Sequence, residues 1–260
     1  MSQKIKIMIL GGARENGKNM YAVQVEDEIF IMDAGLKYPD SSLLGIDVVI
    51  PDLDFFRDYG DKIAGIFLTH GHADSIGALP YILRDYDIPV FGSKLTIELA
   101  KIAVQRENRR RKNDLFHVID ADTEIEFKNA NVSFFKTTHS IPDSLGIDIS
   151  TKEGEIVYTG DFKFDPSAKD GFRTDFVRLS EIAQKGVLAL LSDSTNAEAN
   201  FPNDRQTSIE KYIFNIFENY NGRIIAAAKA SNIVRVQEIF QAAAATGRHV
   251  FLTGRDAGKI

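Results

Sequence analysis

The chain has 260 residues, enough to bury a sizeable core in one large domain or two smaller ones. It contains no Cys, which excludes disulfides, thiolate metal sites and a cysteine nucleophile, permits a reducing compartment, and leaves His and carboxylate as the only ligands for a metal. With 44% hydrophobic and 26% charged residues it reads as an ordinary soluble globular protein without a membrane span, and a net charge of -6 argues against nucleic-acid binding through bulk positive charge.

The apolar run 5–10 follows the first residues directly and could be mistaken for a short secretion signal. Gly11-Gly12 follow it without a small-residue cleavage pattern, so the expectation is a first β-strand and a cytoplasmic protein. Further short apolar stretches at 21–25, 29–32, 63–68, 132–135, 156–158 and 187–191 also read as strands. Helical patterns cover 78–85, 93–110 and 178–184, so the class is α/β. The second of these helices ends in a basic cluster, Lys101, Arg106, Arg109, Arg110, Arg111 and Lys112, which is read as a solvated helix end ahead of a local nucleic-acid channel. After the polar stretch 196–206 the rhythm changes to helix 208–220, strand 223–228, helix 233–246 and strand 249–253. A second domain is expected to begin near residue 205 and to be incomplete at Ile260, with exposed apolar surface over 208–260.

The chemistry concentrates at three strand ends. Of the five histidines, His70, His72 and His139 follow strands directly, whereas His117 and His249 lack such a context and are read as ordinary residues. Strand 63–68 delivers Thr69-His70-Gly71-His72-Ala73-Asp74, in which alternate side chains of an extended loop point the same way. Strand 132–135 runs into Thr137-Thr138-His139-Ser140, and strand 156–158 into Thr159-Gly160-Asp161. Neutral imidazole with carboxylate is a ligand set for Zn²⁺ or Mn²⁺, and two such ions about 4 Å apart can clamp an in-line displacement at phosphorus. A lone His after a strand is more often a capping or packing residue; it is the combination of the three turns that points to hydrolytic chemistry.

On His70, His72, Asp74, His139 and Asp161 the chain resembles the metallo-β-lactamase superfamily. The stretches 11–20, 33–35, 139–144, 160–165 and 193–198 further resemble the ribonuclease J family of its β-CASP branch, over essentially the whole chain. The resemblance implies an αβ/βα four-layer sandwich, here residues 1–205, with the start of an inserted β-CASP domain over 206–260. It implies metal binding by the five residues named, with Asp74 and Asp161 also catalytic, and 5′-to-3′ exonuclease or endonuclease action on RNA in rRNA maturation and mRNA decay. It likewise implies that the last metal-binding His and the family's phosphate-binding motif lie downstream of Ile260.

One departure stands out. The family's His after the motif Asp is Ser75 here, and a neutral hydroxyl is a poor ligand for a divalent ion. With Gly77-Ala78-Leu79-Pro80 after it, this resembles the second, weakly active paralogue of Gram-positive bacteria, which partners the active enzyme. Ser75 also suits the role of cap for a helix beginning at Ile76. The expectation is one metal at His70, His72, His139 and Asp161 and a weak second site.

Asp33 is read as an acceptor orienting a ligand His, or as a turn residue before Ala34-Gly35, and the resemblance favours the first. Asp193 is placed near the metals and Glu198 at the surface. Gly11-Gly12 make a tight turn rather than a phosphate cradle, while Lys18 and Asn19 are loop residues within reach of RNA. Two functions from different classes remain open. One is an RNA hydrolase of low rate; the other is an impaired subunit that forms homo-oligomers or a hetero-complex with an active paralogue, alongside other RNA-degradation proteins. A third, thioester or lactam hydrolysis on the same fold, is disfavoured by the stretch around Asp193.

Overall fold

The computed structural model describes residues 2–107, 113–165, 168, 173–198, 205–229 and 231–254. Arg109, Arg110, Arg111 and Lys112 of the basic cluster lie outside the described residues, while Lys101 pairs with Glu98 at 2.8 Å.

Two sheets carry the fold. The first is six-stranded, in the order β1 (Ile5–Gly11), β2 (Met20–Val25), β3 (Glu28–Met32), β4 (Ile63–Phe67), β5 (Val90–Gly92) and β6 (Phe116–Val118). Strands β1 to β3 form an antiparallel meander, whereas β3 to β6 run parallel and need crossovers. These are supplied by α1 (Asp54–Tyr59), by α2 (Ala73–Ile76) with α3 (Leu79–Asp85), and by α4 (Lys94–Glu107). The second sheet has the order β11 (Val187–Leu191), β10 (Gly154–Tyr158), β9 (Leu145–Thr151), β8 (Asn131–Lys136) and β7 (Glu124–Glu126), with β10 and β11 parallel across α5 (Phe176–Lys185). Helix α5 is bounded by Asp175, which accepts from the Arg178 N–H at its N-cap, and by Gly186 at φ 93°.

Alternation of side chains along the strands sets the layers. Ile29 and Ile31 face α1, α3 and α4, packing with Phe56, Leu79, Ile82, Leu83, Ile97 and Ala100. Their neighbours Phe30 and Met32, with Val23, Val25 and Phe67, point the other way against Val132, Phe134, Ile147, Ile149, Ile156 and Tyr158 of the second sheet. On the far side of that sheet Phe135 and Val157 meet Ile182 and Leu179 of α5. The order helix, sheet, sheet, helix is the αβ/βα four-layer sandwich the sequence led us to expect, and no helix among the described residues is long and apolar enough to cross a membrane.

Beyond the sandwich, α6 (Arg205–Asn219) and α7 (Ile233–Ala245) pack together through Phe217, Ala242 and Ala243 in a cluster of their own. Two expectations fail here. Residues 223–228 and 249–253 are not strands; they run without a partner strand among the described residues, and Ile225 and Phe251 stand 89% and 91% exposed. An apolar run becomes a strand only where a neighbour takes its backbone N–H and C=O groups. Exposed apolar surface is as expected among the described residues from Ile209 to Leu252, and it extends to Val187, Leu188 and Leu190 of β11.

Candidate metal centre

The ends of strands from both sheets converge on one point. After β4, Thr69 and His70 are buried and the chain turns through Gly71 and His72 into α2, with His72 at the N-cap. After β8 the chain reaches His139, held by a reciprocal pair of bonds one residue earlier: the Thr138 N–H donates to Thr174 Oγ1 at 3.2 Å, and the Thr174 N–H to Thr138 Oγ1 at 2.9 Å. After β10, Gly160 at φ 57° turns the chain so that Asp161 faces the same point.

His70, His72 and His139 form a nearly equilateral triangle, with ring centroids 4.7, 4.8 and 4.9 Å apart. His70 Nε2 lies 3.8 Å from Asp74 Oδ1 and 4.0 Å from Asp161 Oδ2, and His139 Nε2 lies 4.0 Å from the same Asp161 oxygen. Among the described residues, the groups that could hold a metal ion are His70 with His72 and His139, and His70 with Asp74 and Asp161. All five expected ligands are therefore brought together. His117 of β6 stacks on Phe91 of β5 and His249 is exposed, so both stay outside.

Charge at the centre is unbalanced in the direction a cation would correct. Burial holds all three imidazoles neutral: His70 falls well below its usual range, His139 to about 3, and His72 is lowered too. Burial, then Asp74 and Asp193, pushes the Asp161 carboxyl up to about 7. His70 Nε2 and Asp74 Oδ1 are buried without a hydrogen-bond partner among the described residues. Buried polar atoms are rarely left unpaired, so a donor set of neutral nitrogens and carboxylate oxygens with these two orphans fits a divalent ion.

A chain of hydrogen bonds orients His70 from behind. Asp33, buried at φ 58°, accepts from the Thr69 N–H at 2.8 Å, from Thr69 Oγ1 at 2.9 Å and from the Tyr158 hydroxyl at 2.9 Å. Thr69 Oγ1 in turn lies 2.9 Å from His70 Nδ1. With its hydroxyl proton committed to Asp33, Thr69 accepts from Nδ1–H, which leaves the Nε2 lone pair facing the centre. Thr69 and Tyr158 were not singled out in the sequence, although each stands beside or within three residues of a motif residue.

Ser75 departs from expectation. It lies inside α2 and caps nothing; its side chain is buried, with Oγ 3.3 Å from His70 Nδ1. Asp193 accepts from the Thr195 N–H at 2.7 Å and acts on the centre through its charge on Asp161, while Glu198 is exposed. Lys18 is paired with Glu15 at 3.0 Å, and the Asn19 N–H donates to the Asp74 carbonyl. Gly12, at φ 88°, lines a cavity of about 660 Å³ beside Asp161 and Tyr21.

Comparison with known proteins bears on the family and the fold. Residues 13–210 match the metallo-beta-lactamase superfamily, and residues 221–260 match the ribonuclease J beta-CASP domain. Over 256 residues, 98% of the chain, it is 56% identical to Ribonuclease J 2 of Streptococcus pyogenes serotype M3, and over 254 residues 46% identical to Ribonuclease J 2 of Staphylococcus epidermidis. The chain spans about half the length of these curated relatives, 46% and 45%. A crystal structure of a protein of unknown function from Enterococcus faecalis V583 shares the fold, with a TM-score of 0.66 at 17% identity over 92% of this chain and 63% of that one.

Proposed function

Since the chain belongs to the metallo-β-lactamase superfamily, we propose that it is a metal-dependent phosphodiester hydrolase of the ribonuclease J type, acting on RNA as exonuclease, endonuclease or both in rRNA and mRNA turnover. The observation that carries this reading is the His70, His72 and His139 triangle with its orphaned His70 Nε2 and Asp74 Oδ1. His70, His72, His139 and Asp161 hold one Zn²⁺ or Mn²⁺, and Asp74 with Asp161 marks a second, weaker position. A bound ion supplies Lewis acidity toward a phosphate oxygen and makes water a competent nucleophile at neutral pH. The protein's own part is positional. Asp33 and Thr69 fix the tautomer of His70, and Asp74 and Asp161 offer oxygens that orient water and can accept its proton.

The domain boundary is proposed near residue 205, and the cytoplasm is the proposed compartment. Ser75 supports a low rate, because its hydroxyl takes the place of an imidazole and lies against His70 Nδ1. The same observation favours a second reading, an impaired subunit that assembles with itself or with an active paralogue and helps position RNA. Two measurements on the protein, wild type beside His72→Ala, separate them: metal content by plasma mass spectrometry, and degradation of a 5′-monophosphorylated RNA in Mn²⁺. Bound metal with RNA loss that vanishes in the variant supports the hydrolase; no metal and identical RNA behaviour supports the subunit.

A further inference from the structure

His72 reaches across 159 residues to the second segment of the chain. Its Nε2 lies 3.1 Å from the backbone carbonyl oxygen of Ser231, and its Nδ1 lies 3.1 Å from His139 Nε2. A carbonyl oxygen only accepts, so His72 Nε2 carries the proton and donates it. In a neutral ring that leaves Nδ1 as the lone pair, aimed at His139 and the centre of the triangle. The carbonyl is held by local structure. The Asn232 N–H donates to the Lys229 carbonyl at 2.9 Å, Asn232 Oδ1 accepts from the Arg235 N–H at 3.1 Å as N-cap of α7, and the Val236 N–H donates to the Asn232 carbonyl at 3.1 Å. Helix α7 is fixed in turn by its packing on α6 through Phe217, Ala242 and Ala243.

We propose that the Ser231 carbonyl is a positioning group for the metal centre: the segment after α6 sets the tautomer and orientation of His72, one of a ligand set that belongs wholly to the sandwich. The inference rests on the reading of His72 as a metal ligand. It makes metal affinity depend on the turn before α7, which touches no metal itself. Groups that orient a ligand imidazole from behind are typically worth about 10- to 100-fold in metal affinity.

The test compares the 260-residue protein with Asn232→Pro, which removes the N–H donated to Lys229 and restricts Ser231 to extended conformations, and with Asn232→Asp, which keeps both the N–H and the cap acceptor. Long-range ¹H–¹⁵N spectra of the metal-free proteins report the His72 tautomer, and Zn²⁺ titration reports affinity. The expected result is His72 as Nε2–H in wild type and Asn232→Asp, with mixed tautomers and about 10-fold or greater loss of Zn²⁺ affinity in Asn232→Pro. The wild-type spectrum alone overturns the inference if it shows His72 as Nδ1–H, whatever the folding of the variants. An unchanged tautomer and affinity in Asn232→Pro overturns it equally. Absence of Zn²⁺ binding by the wild type would instead defeat the hydrolase reading, and the spectrum would still decide the tautomer.

Discussion

The carbonyl oxygen of Asp74 stands 1.6 Å from the position that a β-carbon on Gly35 would occupy. The loop after β3 therefore runs in backbone contact with α2, and no side chain fits between them. Gly35→Ala is expected to push α2 and Asp74 away from the imidazole triangle, costing about 3 kcal/mol or more of stability. Urea unfolding with metal analysis checks this, and a variant with wild-type stability would show that the two segments separate freely.

Asp33 accepts three hydrogen bonds while fully buried, and burial raises its carboxyl to about 7 despite those donors. Asp33→Asn puts an amide NH₂ where donors already point, leaving at least one buried polar group unpaired. The expected cost is about 1–3 kcal/mol in stability. Zn²⁺ affinity should fall about 10-fold or more as His70 loses its orientation. Tyr158→Phe, which removes one donor and leaves Thr69 in place, should cost about 1 kcal/mol and spare the affinity. Equal losses in the two variants would contradict the chain of bonds from Asp33 through Thr69 to His70.

Ser75 is buried, so Ser75→His adds volume to a packed position and should cost about 1–3 kcal/mol. The same change restores an imidazole beside Asp74. Plasma mass spectrometry should show the bound metal rising from one equivalent to two, with faster loss of 5′-monophosphorylated RNA. A variant that still binds one equivalent would overturn this reading of position 75.

Under α5, Asp148 and Glu155 are both buried on the outer face of the second sheet, where Ser133 donates to Asp148 at 3.1 Å and Ser150 to Glu155 at 2.9 Å. Burial first and Glu155 second raise the Asp148 carboxyl from 3.8 to about 7. The folded state thus holds a proton that the unfolded chain has released, and its contribution is fully present below about pH 4 and is lost as pH rises through about 7. Asp148→Asn keeps a donor toward Glu155 without titrating. It should match the wild type in acid and exceed it at pH 8 by on the order of 1–2 kcal/mol. Urea midpoints at pH 4 and pH 8 decide the matter, and a pH-independent difference would rule out the proton held by Asp148.

How much of this was legible depended on whether the signal was local. Strands such as Glu28–Met32 and Gly154–Tyr158 declare themselves because their apolar side chains are buried on both faces. Strand β9 was missed because Gly146 and Asp148 interrupt its apolar pattern; the glycine is there because the Phe135 ring passes 2.0 Å from any β-carbon at that position. The three-residue strands β5, β6 and β7 are too short to show a period, and their neighbours' registers define them. At the centre, the meeting of His70, His72, Asp74, His139 and Asp161 was readable from three turns. The Ser231 carbonyl was not, since every residue carries one.

Six backbone hydrogen bonds knit the loop of Asn19, the loop after β3 and helix α2 into one body: Lys18 to Leu36, Asn19 to Asp74, Gly35 to Asn19, Ala34 to Ser75, Leu36 to Ala73 and Ala78 to Ala34. None involves a side chain. The shape of the ligand-bearing turn is consequently carried by main chain, with side-chain identity entering where space is short, as at Gly35 and the buried Ser75. Hydrogen bonds of this kind survive any substitution that leaves the backbone path open, so the position of the turn and the chemistry it carries are separable properties of this chain.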